Sequence, residues 1–304
     1  MKGMTMQAGP ARVTCALDIR ADSGETPVWS VAEQKLFWVD QEAHRLNAFD
    51  PATGHNEAWQ MPAHVSSFAL RGAGEPIVVA LRTGLFDFDR ASGALTRIGG
   101  APPYDQATHR YNDGRCDRQG RYLIGSVDLS YYQTRQAGGA AIYRLDETGL
   151  AEVIPGITCS NGMAFSPDGR TMYLADSPFG VVWAFDYDTQ TGTPSNQRAF
   201  IRRDRTDGIC DGAEVDSEGG YWVCLLMKGA VARYRPDGTL DFEISLPVLQ
   251  PTKPAFGGPG LSTLYITTAA HRHIPGDQPM GEQAGGVFAV ETGFKGLPEP
   301  TYRG

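Results

Sequence analysis

The sequence predicts an all-β protein, and more specifically a six-bladed β-propeller, from two observations. Short apolar runs rich in aromatic and β-branched residues recur at intervals of roughly 40 to 50 residues, the period of propeller blades. No long segment has the apolar period of a helix, so we expect helices to be few and short. The six runs occupy residues 36–39, 77–80, 122–125, 172–175, 221–224 and 264–267.

Each predicted blade continues with a second apolar run that ends in a turn. In the first blade the run at 46–49 leads into a turn at 50–54 with the sequence Asp-Pro-Ala-Thr-Gly. Apolar runs bounded by Asp, Pro, Asn and Gly are typical of β-hairpins. Because the same arrangement recurs at 85–93, 142–149 and 231–238, the repeats are predicted to be built from hairpins.

The two ends of the chain each supply a strand without a partner of its own. Residues 13–17 have no blade ahead of them, and residues 286–290 have no partner after them. Pairing these two strands in the last blade would remove two exposed sheet edges, so we expect the ring to close in this way.

The length fits one domain, because a six-bladed propeller uses about 300 residues and no linker-like stretch divides the chain. We expect residues 1–10 to form a flexible N-terminal segment and residues 11–304 to form a single propeller domain. A large β-sandwich or two small β domains are the alternatives, and six comparable units disfavour both.

Composition restricts the setting in which the protein works. The net charge of −8 and the pI near 5.3 argue against a nucleic-acid surface, which needs clustered positive charge. No stretch approaches the length of a membrane span, and residues 1–10 lack the apolar core of a signal peptide. Five cysteines without metal-binding spacing indicate reduced thiols in a cytoplasmic protein. We expect a monomer or a weak homo-oligomer.

Six polar residues occupy the same place in the six repeats, about eleven positions before each apolar run. Equivalent positions in a closed ring converge on its axis. An Asn or Asp before Gly often caps a tight turn, which is the simpler explanation for any one of them. Glu25 precedes a Thr-Pro that offers no such turn, so the set as a whole favours a site. The six are Glu25, Ser66, Asn112, Asn161, Asp211 and Lys253.

Glu25, Asn161 and Asp211 offer two carboxylates and a carboxamide oxygen, which suit one divalent metal ion. Calcium, zinc, magnesium, manganese and iron(II) all remain candidates. No His or Cys belongs to the set, so it does not resemble a structural zinc site. Three protein ligands leave coordination positions open for water or substrate, which indicates catalysis rather than a scaffold.

Four motifs resemble those of the regucalcin/gluconolactonase family, also called the senescence marker protein family. They are Gly-Glu-Thr-Pro-Val-Trp at 24–29, Arg-Tyr-Asn-Asp-Gly at 110–114, Ser-Asn-Gly-Met at 160–163 and Asp-Gly-Ala-Glu-Val-Asp at 211–216. The resemblance covers essentially the whole chain. It implies a six-bladed propeller that binds one divalent metal and hydrolyses sugar lactones. It also implies that Glu25, Asn161 and Asp211 ligate the metal, that Asn112 reaches both metal and substrate, and that Arg110 contacts a substrate hydroxyl.

One departure from the family pattern concerns the substrate contacts. Members of the regucalcin type often carry an acidic residue shortly after the third inner hairpin, and the aligned position here is Ser130. Asp128 is the candidate to replace it. Tyr111 and His109 are further candidates for orienting sugar hydroxyls.

The remaining candidate substrate contact is a lysine beyond the fifth repeat. Lys228 follows the fifth apolar run and is either a solvated loop charge or a contact for an acidic lactone.

The function predicted from these residues is hydrolysis of a sugar lactone, either an aldonolactone or an aldarolactone, to the open-chain sugar acid. The metal would polarise the lactone carbonyl and activate water, with Asp211 as the base. Two alternatives remain: a paraoxonase-like propeller esterase that acts on other esters, and a noncatalytic calcium-binding propeller.

Overall fold

The computed structural model describes residues 12–272 and 276–304, and β-strands dominate both ranges. The predicted flexible segment, residues 1–10, lies outside the described residues. The described strands are β1 Val13–Leu17, β2 Gly24–Ser30, β3 Lys35–Asp40, β4 Arg45–Asp50, β5 His55–Gln60, β6 Val65–Ala69, β7 Ile77–Leu81, β8 Gly84–Phe88, β9 Leu95–Ile98, β10 His109–Cys116, β11 Tyr122–Asp128, β12 Ala140–Asp146, β13 Gly149–Ile157, β14 Ser160–Phe165, β15 Thr171–Asp176, β16 Val181–Asp188, β17 Thr193–Arg202, β18 Ile209–Val215, β19 Tyr221–Leu226, β20 Ala230–Tyr234, β21 Leu240–Ser245, β22 Pro251–Gly257, β23 Thr263–Thr268 and β24 Val287–Glu291.

Helical structure in the same ranges is limited to single turns. The α-helical turn α1 spans Tyr131–Thr134, and three 3₁₀ turns span Ser177–Phe179, Arg205–Asp207 and Pro259–Leu261. None of these helices is long and apolar enough to cross a bilayer. The prediction that helices are few and short is confirmed.

The described strands form six four-stranded antiparallel sheets, which confirms the six-bladed propeller. Five blades follow the chain order directly: β2–β5, β6–β9, β10–β13, β14–β17 and β18–β21. The sixth has the order β1-β24-β23-β22, so the first and last described strands share a sheet, with Val13 paired to Val290. The first strand of each blade contacts the first strands of the two neighbouring blades, and β22 contacts β2.

The core lies between the faces of successive blades. Phe37 and Val39 of β3 pack with Phe68 of β6 and Val79 of β7 in one cluster of buried side chains that joins the first two blades. Strands with apolar residues on both faces fit this position, because each sheet is covered by a blade on either side. This burial of apolar surface is the main favourable term that holds the blades together.

Hydrogen bonds also join the innermost strands of neighbouring blades. Ser66 Oγ in β6 donates to Tyr111 O in β10 at 2.6 Å, and Asn112 Nδ2 in β10 donates to Ser160 O in β14 at 2.8 Å. We call this series the inner belt. Its other bonds run from Thr26 Oγ1 to Ser66 O, from Ser177 Oγ to Cys210 O and from Thr252 Oγ1 to Gly24 O.

Candidate functional site

A register shift interrupts each of the six innermost strands at the place where the predicted polar residue lies. In β2 the pairing with β3 shifts between Glu25 and Val28, and in β14 it shifts between Asn161 and Ala164. Bulges of this kind redirect side chains and are common beside active sites. The corresponding shifts lie between Val65 and Ser67, Tyr111 and Gly114, Cys210 and Ala213, and Pro251 and Lys253.

The bulges bring five predicted residues to one cavity near the starts of the innermost strands. Glu25, Arg110, Asn112, Asn161 and Asp211 all line it. They come from the first, third, fourth and fifth blades, so only the closed ring brings them together.

Two buried carboxylates face each other in this cavity. Burial, reinforced by the negative charge of Asp113, raises the pKa of Glu25 to about 7, and the charge of Lys253 opposes this rise. Burial and the charge of Glu25 raise the pKa of Asp211 well above its ordinary value. Glu25 accepts a hydrogen bond from Thr26 N at 3.1 Å, whereas no donor in the described chain bonds the Asp211 carboxylate.

Hydrogen bonds orient the two amide side chains beside these carboxylates. Asn161 Nδ2 donates to Ser177 Oγ at 2.8 Å, and Asn161 Oδ1 accepts from Asn112 Nδ2 at 3.0 Å. Arg110 Nη1 in turn donates to Asn112 Oδ1 at 2.5 Å and to Tyr111 O at 2.9 Å. Arg110, Asn112 and Asn161 therefore form one hydrogen-bonded chain along the cavity wall.

The donor set of this cavity fits a divalent cation. Burial and the nearby charge of Glu25 raise the pKa of Asp211, burial and the charge of Asp113 raise that of Glu25, and a cation bound here would offset this excess of negative charge. The carboxamide oxygen of Asn161 adds a neutral donor of the kind that calcium and similar ions accept. The described ranges contain no group of three or more His, Cys, Asp or Glu side chains placed to hold a metal, so this cavity offers two carboxylates and one carboxamide only.

A buried ion pair crosses the ring beneath the cavity. Lys253 in the sixth blade donates to Asp113 Oδ1 in the third blade, and both side chains are at most 3% exposed. Asp113 Oδ2 also accepts from Met163 N of the fourth blade at 3.0 Å. Lys253 is the sixth member of the polar set, and it does not line the cavity.

The structure does not bring the other predicted substrate contacts into this cavity. The Tyr111 side chain is 1% exposed and belongs to a core cluster, and Ser130 Oγ donates to Asp128 Oδ1 at 2.6 Å. His109 Nε2 lies 2.9 Å from Gly139 O and 3.8 Å from Asp128 Oδ1. The roles of these four residues as substrate contacts stay predictions.

Lys228 is held by carboxylates of its own surface. Its Nζ lies 2.8 Å from Asp207 Oδ1 and 2.7 Å from Glu243 Oε2. It does not line the cavity, and its predicted contact with an acidic lactone also stays a prediction.

Several cavity residues were not predicted because they lie on loops outside the repeat. Tyr132 comes from α1, Ser177 from the first 3₁₀ turn and Arg205 from the second. Cys159, whose pKa burial raises to about 12, directly precedes β14. Their proximity to the inner strands in sequence was the one available signal. The cavity is completed by Ser23, Gln41, Pro178, Ile209 and Leu226.

The chain is similar to known proteins over nearly its whole length. Residues 23–270 match the family model described as SMP-30/gluconolactonase/LRE-like region. The chain is 39% identical over 284 residues to a 6-deoxy-6-sulfogluconolactonase of Pseudomonas putida, covering 92% of this chain and 95% of the relative. It is 34% identical to an L-arabinolactonase of Azospirillum brasilense, covering 98% of each. Its fold matches the crystal structure of a calcium-binding protein, regucalcin, from Agrobacterium tumefaciens with a TM-score of 0.89, 28% identity, and coverage of 97% and 98%.

Proposed function

Because the chain belongs to the SMP-30/gluconolactonase/LRE-like family, we propose that it is a metal-dependent sugar lactonase. One observation supports this most directly: two buried carboxylates and a carboxamide, on Glu25, Asp211 and Asn161, meet in a cavity that also holds Arg110 and Asn112. Relatives aligned over nearly their full lengths are named as lactonases, which are hydrolases of cyclic esters. Their names support a sugar lactone, either an aldonolactone or an aldarolactone, as the substrate.

In this proposal Glu25, Asn161 and Asp211 hold the divalent ion. When bound, the ion would polarise the lactone carbonyl and lower the pKa of a bound water. Asn161 presents its Oδ1 to the cavity because its amide nitrogen is bonded to Ser177. Calcium, zinc, magnesium, manganese and iron(II) all suit oxygen donors of this kind.

Asp211 is the proposed base. Its carboxylate accepts a proton from the attacking water while the water oxygen bonds to the carbonyl carbon. The ring C–O bond then breaks, and the ring oxygen takes up a proton and leaves as the hydroxyl of the open-chain acid.

Arg110 and Asn112 are the proposed substrate-orienting residues. Arg110 is fixed by its bonds to Tyr111 O and Asn112 Oδ1, so its remaining N–H groups are pre-oriented for sugar oxygens. Asn112 connects this arginine to the metal ligand Asn161. Correct binding of the sugar is thereby linked to the position of the metal ligand.

A panel of lactones with defined metals tests this proposal. Metal-free protein is given glucono-, arabinono- and glucaro-lactones and one aryl ester, with and without each divalent ion, and acid release is followed with a pH indicator. We expect metal-stimulated hydrolysis of at least one lactone and little hydrolysis of the aryl ester. Absence of metal-stimulated hydrolysis of every lactone would exclude the proposed activity.

A noncatalytic calcium-binding role is the second candidate. It is favoured by the structural similarity to a regucalcin that is described as calcium-binding. The same experiment distinguishes the two functions, because a noncatalytic propeller would bind calcium, measured by calorimetry, without releasing acid from any lactone.

The remaining expectations about the whole chain also belong to this proposal. We propose that the pairing of β1 with β24 closes the ring and that residues 11–304 form one domain. We further propose that the protein works in the cytoplasm, since its five cysteines are all unpaired thiols.

A further inference from the structure

Three basic residues, Arg203, Arg205 and Lys228, differ in whether carboxylates neutralise their charge. Arg203 lies 2.8 Å from a Glu243 oxygen and also pairs with Asp207, and Lys228 pairs with the same two carboxylates. Arg205 has no carboxylate partner in the described chain, although it lines the cavity. Of the three, the residue that lines the cavity is therefore the one whose charge no described carboxylate compensates.

The local structure holds Arg205 over the cavity. It begins the 3₁₀ turn Arg205–Asp207, which is anchored by a hydrogen bond from Thr206 N to Asp204 Oδ1 at 2.9 Å. The Arg205 Cγ lies 3.4 Å from the place that a Cβ on Gly180 would occupy, so its stem packs against the end of the neighbouring 3₁₀ turn. A Cβ at position 180 would also collide with the Arg203 carbonyl oxygen, so glycine is required for the close approach of these two segments.

Tyr132 lines the same cavity as Arg205 and Arg110. Its pKa is raised by the neighbouring Cys159 and by burial, and the charges of Arg110 and Arg205 both oppose this rise. Since both arginine charges act on this hydroxyl and all three residues line the cavity, the three side chains lie near one another in it. Together they present one hydroxyl donor and two guanidinium groups.

The charge balance of the cavity favours a negatively charged ligand. A divalent cation would offset the two carboxylates of Glu25 and Asp211. Arg110 donates its described hydrogen bonds only to the neutral oxygens of Tyr111 and Asn112. Arg110 and Arg205 then leave the loaded cavity with a net positive charge, in a protein whose overall charge is −8.

We propose that the substrate is a lactone with an anionic substituent on the sugar, and that Arg205 and Tyr132 bind this substituent at the mouth of the cavity. The proposal rests on the proposed lactonase function. The planar guanidinium suits a carboxylate or a sulfonate, both of which it binds through two parallel N–H groups. The lactone carbonyl would then lie deeper, beside Asp211.

Matched pairs of lactones test the charge preference. D-glucaro-1,4-lactone is compared with D-glucono-1,4-lactone, and 6-deoxy-6-sulfoglucono-1,5-lactone with D-glucono-1,5-lactone. The members of each pair differ only at C6, so the ratio of their kcat/KM values isolates the anion. We expect at least one anionic lactone to be preferred by about tenfold or more, and the preference to fall as salt is raised. The two anions distinguish a carboxylate from a sulfonate substrate.

Variants assign the preference to Arg205. Arg205→Gln should reduce the anionic-to-neutral ratio about tenfold, mainly through KM, and Arg205→Lys should retain part of it. Arg202→Gln is the matched control: Arg202 is exposed on β17, lies over the Trp183 ring and is outside the cavity, yet its loss changes the net charge equally.

A binding measurement gives a readout that does not depend on turnover. The metal-loaded protein is titrated calorimetrically with 1,5-anhydroglucitol and its 6-phosphate, neither of which is a lactone. Tighter binding of the phosphate that is lost in Arg205→Gln supports the subsite. If neutral lactones are hydrolysed while the ratio and this binding are unchanged in Arg205→Gln, the subsite is wrong and the lactonase function stands. If no lactone is hydrolysed, the lactonase function fails.

Discussion

Asp211 and Arg110 line the same cavity, but their surroundings assign them different tasks. Asp211 is a buried carboxylate without a hydrogen-bond donor in the described chain, whereas Arg110 is fixed by two acceptors. A cavity-lining carboxyl group whose pKa is strongly raised by burial and by a second carboxylate is a candidate functional group. A fixed arginine is suited to orienting a ligand.

We predict that Asp211→Asn lowers kcat by about 10² to 10⁴, the range typical for loss of a general base, while Arg110→Ala mainly raises KM. The metal-free Asp211→Asn protein should also melt at a higher temperature than the metal-free wild type, because a neutral amide replaces a buried carboxyl whose ionisation is disfavoured by burial and by the charge of Glu25. Steady-state kinetics and thermal unfolding check both parts. Full activity in a folded Asp211→Asn protein would refute the assignment.

His64 makes the stability sensitive to acid. Burial and the nearby Arg110 lower its pKa to about 2 from an ordinary value of 6.5. Between about pH 2 and pH 6.5, His64 is therefore protonated in the unfolded chain but neutral in the folded protein. The folded state is stabilised relative to the unfolded state above pH 6.5, and this contribution is lost as the pH falls below it.

We predict that His64→Gln makes stability less dependent on pH below 6.5. For each pH unit below 6.5, protonation of His64 in the unfolded chain lowers the free energy of unfolding by up to about 1.4 kcal/mol. Urea titrations at several pH values between 5 and 7.5 measure this slope. An unchanged slope in the variant would show that His64 does not titrate as inferred, and the exposed His55→Gln is the control.

At the scale of the elements, the bulges and the inner belt both determine where the innermost strands place their side chains. Each bulge turns a polar side chain to the centre of the ring, and the belt ties the backbone of that strand to the next blade. The position of a site residue consequently depends on the neighbouring blade as well as on its own.

Ser66 offers a direct test of the belt. It is fully buried, and its hydroxyl donates to Tyr111 O, which also accepts from Arg110. We predict that Ser66→Ala lowers the unfolding free energy by about 1 kcal/mol. It should also raise KM, because the Tyr111 carbonyl that accepts from Arg110 loses the Ser66 hydroxyl that helps to fix its position. Ser92→Ala, in an exposed turn closed by Asp89, is the control for a lost serine hydroxyl. A raised KM in the control as well would remove the link to Arg110.

At the scale of the whole molecule, the first and last described strands, β1 and β24, pair with each other in the sixth blade. β1 occupies the outer edge of the sheet that holds β22 to β24. If this pairing closes the ring, loss of β1 exposes the edge of β24 and weakens the sixth blade.

We predict that deletion of residues 1–17 lowers Tm by several degrees, whereas deletion of residues 1–10 leaves β1 intact and lowers Tm less. Calorimetry on both proteins makes the comparison. Equal melting temperatures would show that β1 contributes little to closure.

The periodic part of the molecule could be predicted from the sequence, and the part built by loops could not. Equal spacing before the apolar runs identified Glu25, Asn161 and Asp211, and the family resemblance is confirmed by the family match. Tyr132 and Arg205 lie on single helical turns without a repeat, so no register marks them. Whether Lys228 faces the site depends on Asp207 and Glu243, and spacing in the sequence does not reveal such partners.

The ion pair between Lys253 and Asp113 has a consequence for the kinetics. It joins the third and sixth blades across the ring and is almost fully buried. If it closes the centre of the ring, the cavity opens at one end only. The lactone would then enter, and the sugar acid leave, through the same opening of the cavity. The sugar acid would then compete with the lactone for the cavity, and a high concentration of product would inhibit turnover.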